Sequence, residues 1–176
     1  AYGGINYFSF HSDESVSIRP VIMTLDNLKL LSESIMMFWT GLTRPSESVL
    51  VEQNKNSARN CNILTILKEQ AYELSRTLSG NDISIVKIGD TLNKGWEYKK
   101  QLGTSVSNKK INDWYSKSLN YGALGGKISG AGGGGFLTLI VDKKKQKILE
   151  EILKKEGLDR HHFGIDSNGT VVYEIS

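Results

Sequence analysis

Gly122-Ala123-Leu124-Gly125-Gly126-Lys127-Ile128-Ser129-Gly130-Ala131-Gly132-Gly133-Gly134-Gly135-Phe136 decides the reading of this chain. It holds eight of the 18 glycines and runs directly into an apolar stretch, Phe136-Leu137-Thr138-Leu139-Ile140-Val141. Glycine loses more backbone entropy on folding than any other residue, about 0.5–1 kcal/mol against alanine in regular structure, so such a cluster implies positive φ or close approach to the backbone. Successive N–H groups of a glycine-rich turn can converge into an anion-binding concavity, which suits phosphate. Lys127 at the mouth of the loop adds positive charge, and Ser129 adds a hydroxyl donor. The structural alternative is a tight connection packed under a neighbouring domain, with Lys127 solvated. The run contains no G-x-x-x-x-G-K-[ST] and is read without a strand leading into it, so neither standard nucleotide fingerprint applies.

Working outward, residues 107–121 form an amphipathic helix started by Ser107 or Asn108, with Ile111, Trp114, Tyr115, Ser118 and Leu119 inward and Gly122 as its left-handed stop. Residues 136–141 are a buried strand. Asp142 caps a helix that turns Ile148, Leu149, Ile152 and Leu153 inward and ends at Gly157. Residues 162–166 and 170–175 are expected to pair as a hairpin across Ser167-Asn168-Gly169.

Upstream, residues 4–10 and 15–20 read as two strands about a turn. Thr24 caps a helix through Leu31, and 35–40 is a short apolar strand followed by a turn with Gly41 and Pro45. Three helices follow: a polar one over 46–60, one opened by Asn62, and one capped by Asn81 or Asp82. The second carries Ile63, Ile66, Leu67, Ala71, Leu74 and Leu78; the third carries Ile85, Ile88, Leu92, Trp96 and Leu102. Lys99 falls one turn after Trp96, so a cation stands near an aromatic wall; a core-edge Trp with solvated lysines is the plainer reading. This order gives an α+β class, a small antiparallel sheet covered on one side by helices.

A length of 176 residues suits one core, and 39% hydrophobic with 23% charged residues is ordinary for a globular chain. A net charge of +3, with lysines interleaved among acids, argues against a nucleic-acid surface. No apolar run is long enough for a membrane span. Cys61 is the one cysteine and reads as core filler, so no intramolecular disulfide forms and a reducing cytoplasmic setting is expected. The adjacent His161 and His162 lack a third ligand, so no metal site is expected. The chain opens on Ala1 inside an apparent strand, and it is expected to be the downstream part of a longer protein. The edge of its first two strands can then pair with a second copy.

Lys127-Ile128-Ser129-Gly130-Ala131-Gly132-Gly133-Gly134 resembles the C-terminal motif of the GHMP kinases. Three flanking words, Ala1-Tyr2-Gly3-Gly4-Ile5-Asn6, Trp39-Thr40-Gly41-Leu42-Thr43-Arg44 and Gly122-Ala123-Leu124-Gly125-Gly126-Lys127, most resemble the branch that phosphorylates D-glycero-D-manno-heptose phosphate. The resemblance implies a ferredoxin-like GHMP kinase C-terminal domain over residues 24–176. Residues 1–23 would be a hairpin belonging to, or leading from, an absent N-terminal domain. It implies transfer of the γ-phosphoryl of ATP to a sugar-phosphate hydroxyl, with ATP and Mg2+ held mainly by that absent half, which also carries the catalytic Asp. This chain is then expected to be inactive alone and to supply no catalytic residue or metal ligand. Its implied share is Lys127, Ser129, Gly130, Ala131, Gly132, Gly133 and Gly134 in support of the phosphate loop. Arg44, Trp96 and Lys100 would lie at the substrate. Bulk at Gly132 is expected to abolish transfer and leave the fold intact. A different class of function, a non-catalytic domain that binds an anionic metabolite or a partner, fits the same sheet and helices.

Overall fold

The computed structural model describes residues 2–173. Its elements are β1 (Asn6–Phe10), β2 (Val16–Pro20), α1 (Leu25–Ser34), β3 (Ile35–Trp39), α2 (Ser46–Lys55), α3 (Cys61–Leu78), α4 (Ile85–Lys100), α5 (Lys109–Asn120), β4 (Ala123–Ile128), β5 (Phe136–Val141), α6 (Lys143–Lys155) and β6 (Asp159–His161). β3, β4, β5 and β6 form one antiparallel sheet in the order β4-β5-β3-β6. With helices between β3 and β4 and between β5 and β6, this is the βαββαβ pattern of a ferredoxin-like layer. The α+β reading holds.

Alternation along the strands explains the core. Met36 and Phe38 pair with Leu139 and Leu137, so all four share one face of the sheet, and all are buried. Trp96, Ile111, Trp114, Leu149 and Leu153 from the helices close over them. Each such side chain contributes about 1.5–3 kcal/mol by leaving water. A second cluster of Leu31, Leu78, Ile83, Ile88 and Ile140 ties α1, α3 and α4 to the sheet. On the hairpin, the Arg19 guanidinium lies over the rings of Tyr7 and Tyr72, 5.2 and 6.0 Å from their centroids, which links β1 and β2 to α3.

Caps set the helix starts. Thr24, Asn108 and Asp142 each accept from a first-turn N–H as expected, whereas α4 is capped by Ser84 rather than Asn81 or Asp82. Asn81 instead offers its carbonyl to Asn27 at 2.8 Å.

Four expectations are corrected. Residues 123–128 are a strand, β4, so the glycine run does have a strand leading into it and the loop proper is only 129–135. β4 looked like loop because its glycines, Gly125 and Gly126, sit where neighbours leave no room. A Cβ on Gly125 would stand 1.9 Å from the Gly89 carbonyl oxygen of α4, and one on Gly126 2.2 Å from that of Thr138. Described residues 162–173 form no strand; the edge pairing with β3 is made by β6 instead, and residues 174–175 of the expected hairpin lie outside the described part. Cys61, at the start of α3, is exposed rather than core. Ile148, expected inward on α6, is also exposed.

Candidate functional site

The loop 129–135 leaves the end of β4 and returns into β5, and its backbone is fastened along one side. The Gly133 N–H donates to the Val106 carbonyl at 2.7 Å and the Gly135 N–H to that of Leu42 at 2.8 Å. The Gly135 carbonyl accepts from both the N–H and the hydroxyl of Thr40, at 3.0 and 2.7 Å, so the buried threonine at the end of β3 is fully used. Glycine is needed here for space. A Cβ would meet the Val106 oxygen at 2.7 Å from position 132, the Ser105 oxygen at 2.8 Å from 133 and the Leu42 oxygen at 2.3 Å from 134. Bulk at Gly132 therefore strains this packing, against the expectation of an intact fold.

The segment 103–106 that receives the loop is itself anchored. The Glu52 carboxylate of α2 accepts from the Thr104 N–H at 2.7 Å, the Thr104 hydroxyl at 2.9 Å, the Ser105 N–H at 3.0 Å and the Ser105 hydroxyl. Those hydrogen bonds, the Ser105 hydroxyl foremost, lower its pKa to about 2.

The other side of the loop is open. Gly130 is exposed, has φ +80° and has nothing within 4 Å of where a Cβ would stand. The N–H groups of Gly130 and Ala131 have no partner among the described residues, while their carbonyls are held by Lys99 and by Gln53 (3.3 Å). Two successive free donors on an exposed turn with both carbonyls tied back can receive an anion.

The sequence-derived residues fall in several places. Arg44 is exposed, with its stem over Gly133: its Cδ lies 3.1 Å from the Cβ position there. The Ser129 hydroxyl is shared with Thr138 at 2.8 Å. Lys127 lies on β4, opposite Thr138, and its half-buried side chain enters a cavity behind the loop rather than its mouth. Trp96 is only 1% exposed, with its ring 6.3 Å from that of Tyr115, so it offers no open face to a sugar. Lys100 pairs with Glu97 at 2.8 Å and lines a separate cleft of about 440 Å3 together with Arg59, Asn56 and Glu52. The sequence marks Lys99 only as a neighbour of Trp96 and gives no sign of Glu52 or Val106, because no short motif marks them and their roles arise from contacts distant in sequence.

Residues 81–159, which span α4 to β6 and contain the loop, match the family model described as GHMP kinases C terminal. The likeness to that family model extends over the segment from α4 to β6. Its sequence is 27% identical, over 178 residues, to the D-glycero-alpha-D-manno-heptose 7-phosphate kinase of Campylobacter jejuni, covering 99% of this chain and 51% of that protein. The chain thus spans about half the length of this relative. The D-glycero-D-manno-heptose 1-phosphate kinase of Bacteroides thetaiotaomicron superposes with a TM-score of 0.67 at 19% identity, over 99% of this chain and 47% of that one. A phosphomevalonate kinase of Streptococcus pneumoniae, solved with phosphomevalonate and AMPPNP, gives a TM-score of 0.64 at 21% identity, over 87% and 44%. These two share the fold of this chain.

Among the described residues there is no cluster of three or more His, Cys, Asp or Glu fit to hold a metal ion. The free Gly130 and Ala131 amides fit a phosphate oxygen. No helix among the described residues is long and apolar enough to cross a membrane.

Proposed function

We propose that this chain is the C-terminal part of an ATP-dependent kinase that moves the γ-phosphoryl of ATP to a hydroxyl of a sugar phosphate, with a heptose phosphate as acceptor. The observation that carries the reading is the open arc at Gly130 and Ala131, held by its carbonyls and presenting its amides, in a chain aligned over 99% of its length with a heptose 7-phosphate kinase. Phosphoryl transfer depends on positioning and charge neutralisation, and preset amides supply both without reorganising.

In this reading residues 24–176 are the C-terminal domain, and the hairpin of residues 1–23 leads from an N-terminal half that holds the nucleotide, its metal and the base. Gly130 and Ala131 donate to phosphate oxygens at the junction. Arg44, exposed beside Gly133, presents a planar fork suited to the acceptor's phosphate. Lys100 adds a cation from the neighbouring cleft. Gly132, Gly133 and Gly134 fix the loop against residues 42 and 105–106, and Ser129 braces it through Thr138.

The test is a transfer assay with ATP and a panel of sugar phosphates that includes heptose 7-phosphate. The 176-residue chain alone is expected to give no product, and the polypeptide that continues upstream of Ala1 is expected to give a sugar bisphosphate. Turnover by the chain alone, or none by the longer polypeptide on any sugar phosphate, overturns the assignment.

A further inference from the structure

Behind the loop, α3, α4 and β4 line a half-open cavity of about 180 Å3. Leu67, Ala71, Leu74 and Leu92 give it an aliphatic wall, and Lys99 and Lys127 are its charged residues. Neither lysine has a carboxylate partner. Lys99 donates to the Gly130 carbonyl, and Lys127 has no partner among the described residues. The acids on the same helix are engaged elsewhere, Glu97 by Lys100 at 2.8 Å and Asp90 by Lys94 at 2.7 Å. α3 contributes Gln70, which is uncharged. Two further polar atoms of cavity-lining residues, the Trp96 Nε1 and the Gln70 Oε1, are buried without a hydrogen bond. Buried polar groups are nearly always satisfied, so an unpaired donor, the Trp96 N–H, and an unpaired acceptor, the Gln70 Oε1, on residues that line one cavity with two lysines need an explanation. Burial pushes the Lys127 ammonium down. Burial, with the charge of Lys127 added, pushes Lys99 to about 8. The Gly130 carbonyl accounts for one contact of Lys99, but no contact among the described residues accounts for the charge of Lys127.

We propose that this cavity binds a small organic anion, a carboxylate carried on a single ring or short branched chain. The carboxylate sits between Lys99 and Lys127 with the Trp96 N–H as a further donor, and the apolar body lies against Leu67, Leu74 and Leu92. An apolar cavity of about 150 Å3 accommodates benzene, so the size suits one ring. The aliphatic wall disfavours a fully hydrated phosphate, which would need more donors than two lysines and an indole. Because Lys99 also holds the Gly130 carbonyl, occupancy is felt at the open arc of the loop. The proposal needs neither ATP nor the upstream polypeptide, so it stands or falls apart from the kinase reading.

The experiment titrates benzoate into the 176-residue chain and follows the Trp96 indole N–H resonance by NMR. A saturable shift is expected with a Kd of about 1 mM or tighter near pH 7. Lys99 carries its charge below its pKa of about 8 and loses it above, so affinity should fall severalfold between pH 7 and pH 9. Lys99→Met and Lys127→Met should each weaken binding about tenfold, the loss of one charge-assisted contact. Inorganic phosphate should not displace benzoate from the cavity. Absence of saturation with benzoate, unchanged affinity across that pH range, unchanged affinity in folded lysine variants, or displacement of benzoate by phosphate each overturns the proposal. The pH arm uses the unmodified chain, so it decides the matter without a variant.

Discussion

Gly130 and Gly134 belong to one loop and are glycine for different reasons. At Gly134 the Leu42 carbonyl stands 2.3 Å from where a Cβ would be, and the position is buried. At Gly130 there is open space and a φ of +80°. The first is a packing residue, the second a backbone that turns outward to present its amides. Glycine density alone therefore does not mark a ligand. Much of the run, from Gly125 and Gly126 on β4 to Gly132, Gly133 and Gly134 in the loop, serves close approach of the domain to itself.

The largest effect that would sharpen this contrast is expected at the packed side. Gly134→Val forces a side chain into backbone that cannot yield and should cost about 3 kcal/mol, the upper range for overpacking, read as a lowered urea midpoint. An unchanged midpoint would erase the distinction. Gly130→Ala should cost only about 1 kcal/mol, the penalty of a Cβ in left-handed backbone without a clash. Amide hydrogen exchange divides the loop the same way: Gly133 and Gly135 should be protected, and Gly130 and Ala131 should exchange near the rate of open chain. Protection at Gly130 equal to that at Gly133 would mean the arc is not free.

The smallest effect concerns the anchor beneath the packed side. The Glu52 pKa is lowered to about 2 in the fold against an ordinary 4.5, so the carboxylate's contribution is complete above about pH 4.5 and is lost as pH falls towards 2. In Glu52→Gln the drop in urea midpoint between pH 7 and pH 3 should be smaller than in the parent chain. An equal drop would remove Glu52 as the anchor of residues 103–106.

Much of the fold was legible because it rests on local signals. Thr24, Asn108 and Asp142 marked helix starts through their side-chain oxygens, and the 3.6-residue spacing of Ile111, Trp114, Tyr115 and Ser118 marked a buried face. β4 was not legible, since Ala123-Leu124-Gly125-Gly126-Lys127-Ile128 has poor strand propensity and owes its place to pairing with β5 and to the close approach of Gly125 to Gly89 of α4. β6 was hidden because three polar residues, Asp159 to His161, become a strand only at the free edge of β3. The loop was visible as a motif, but which of its amides are spent and which are free depends on Val106, Leu42 and Thr40, far away in sequence.

The most direct measurement compares Gly130→Ala with Gly157→Ala in the polypeptide that includes the upstream half, assayed for transfer from ATP to a sugar phosphate. Gly157 ends α6 with φ +82° and, like Gly130, has nothing within 4 Å of the Cβ position, so both substitutions carry the same backbone penalty. If the Gly130 arc receives phosphate, Gly130→Ala should lower kcat/KM by about tenfold or more, which corresponds to about 1.4 kcal/mol of lost transition-state stabilisation, while Gly157→Ala leaves it unchanged. Equal rates in the two variants would contradict the role of the loop.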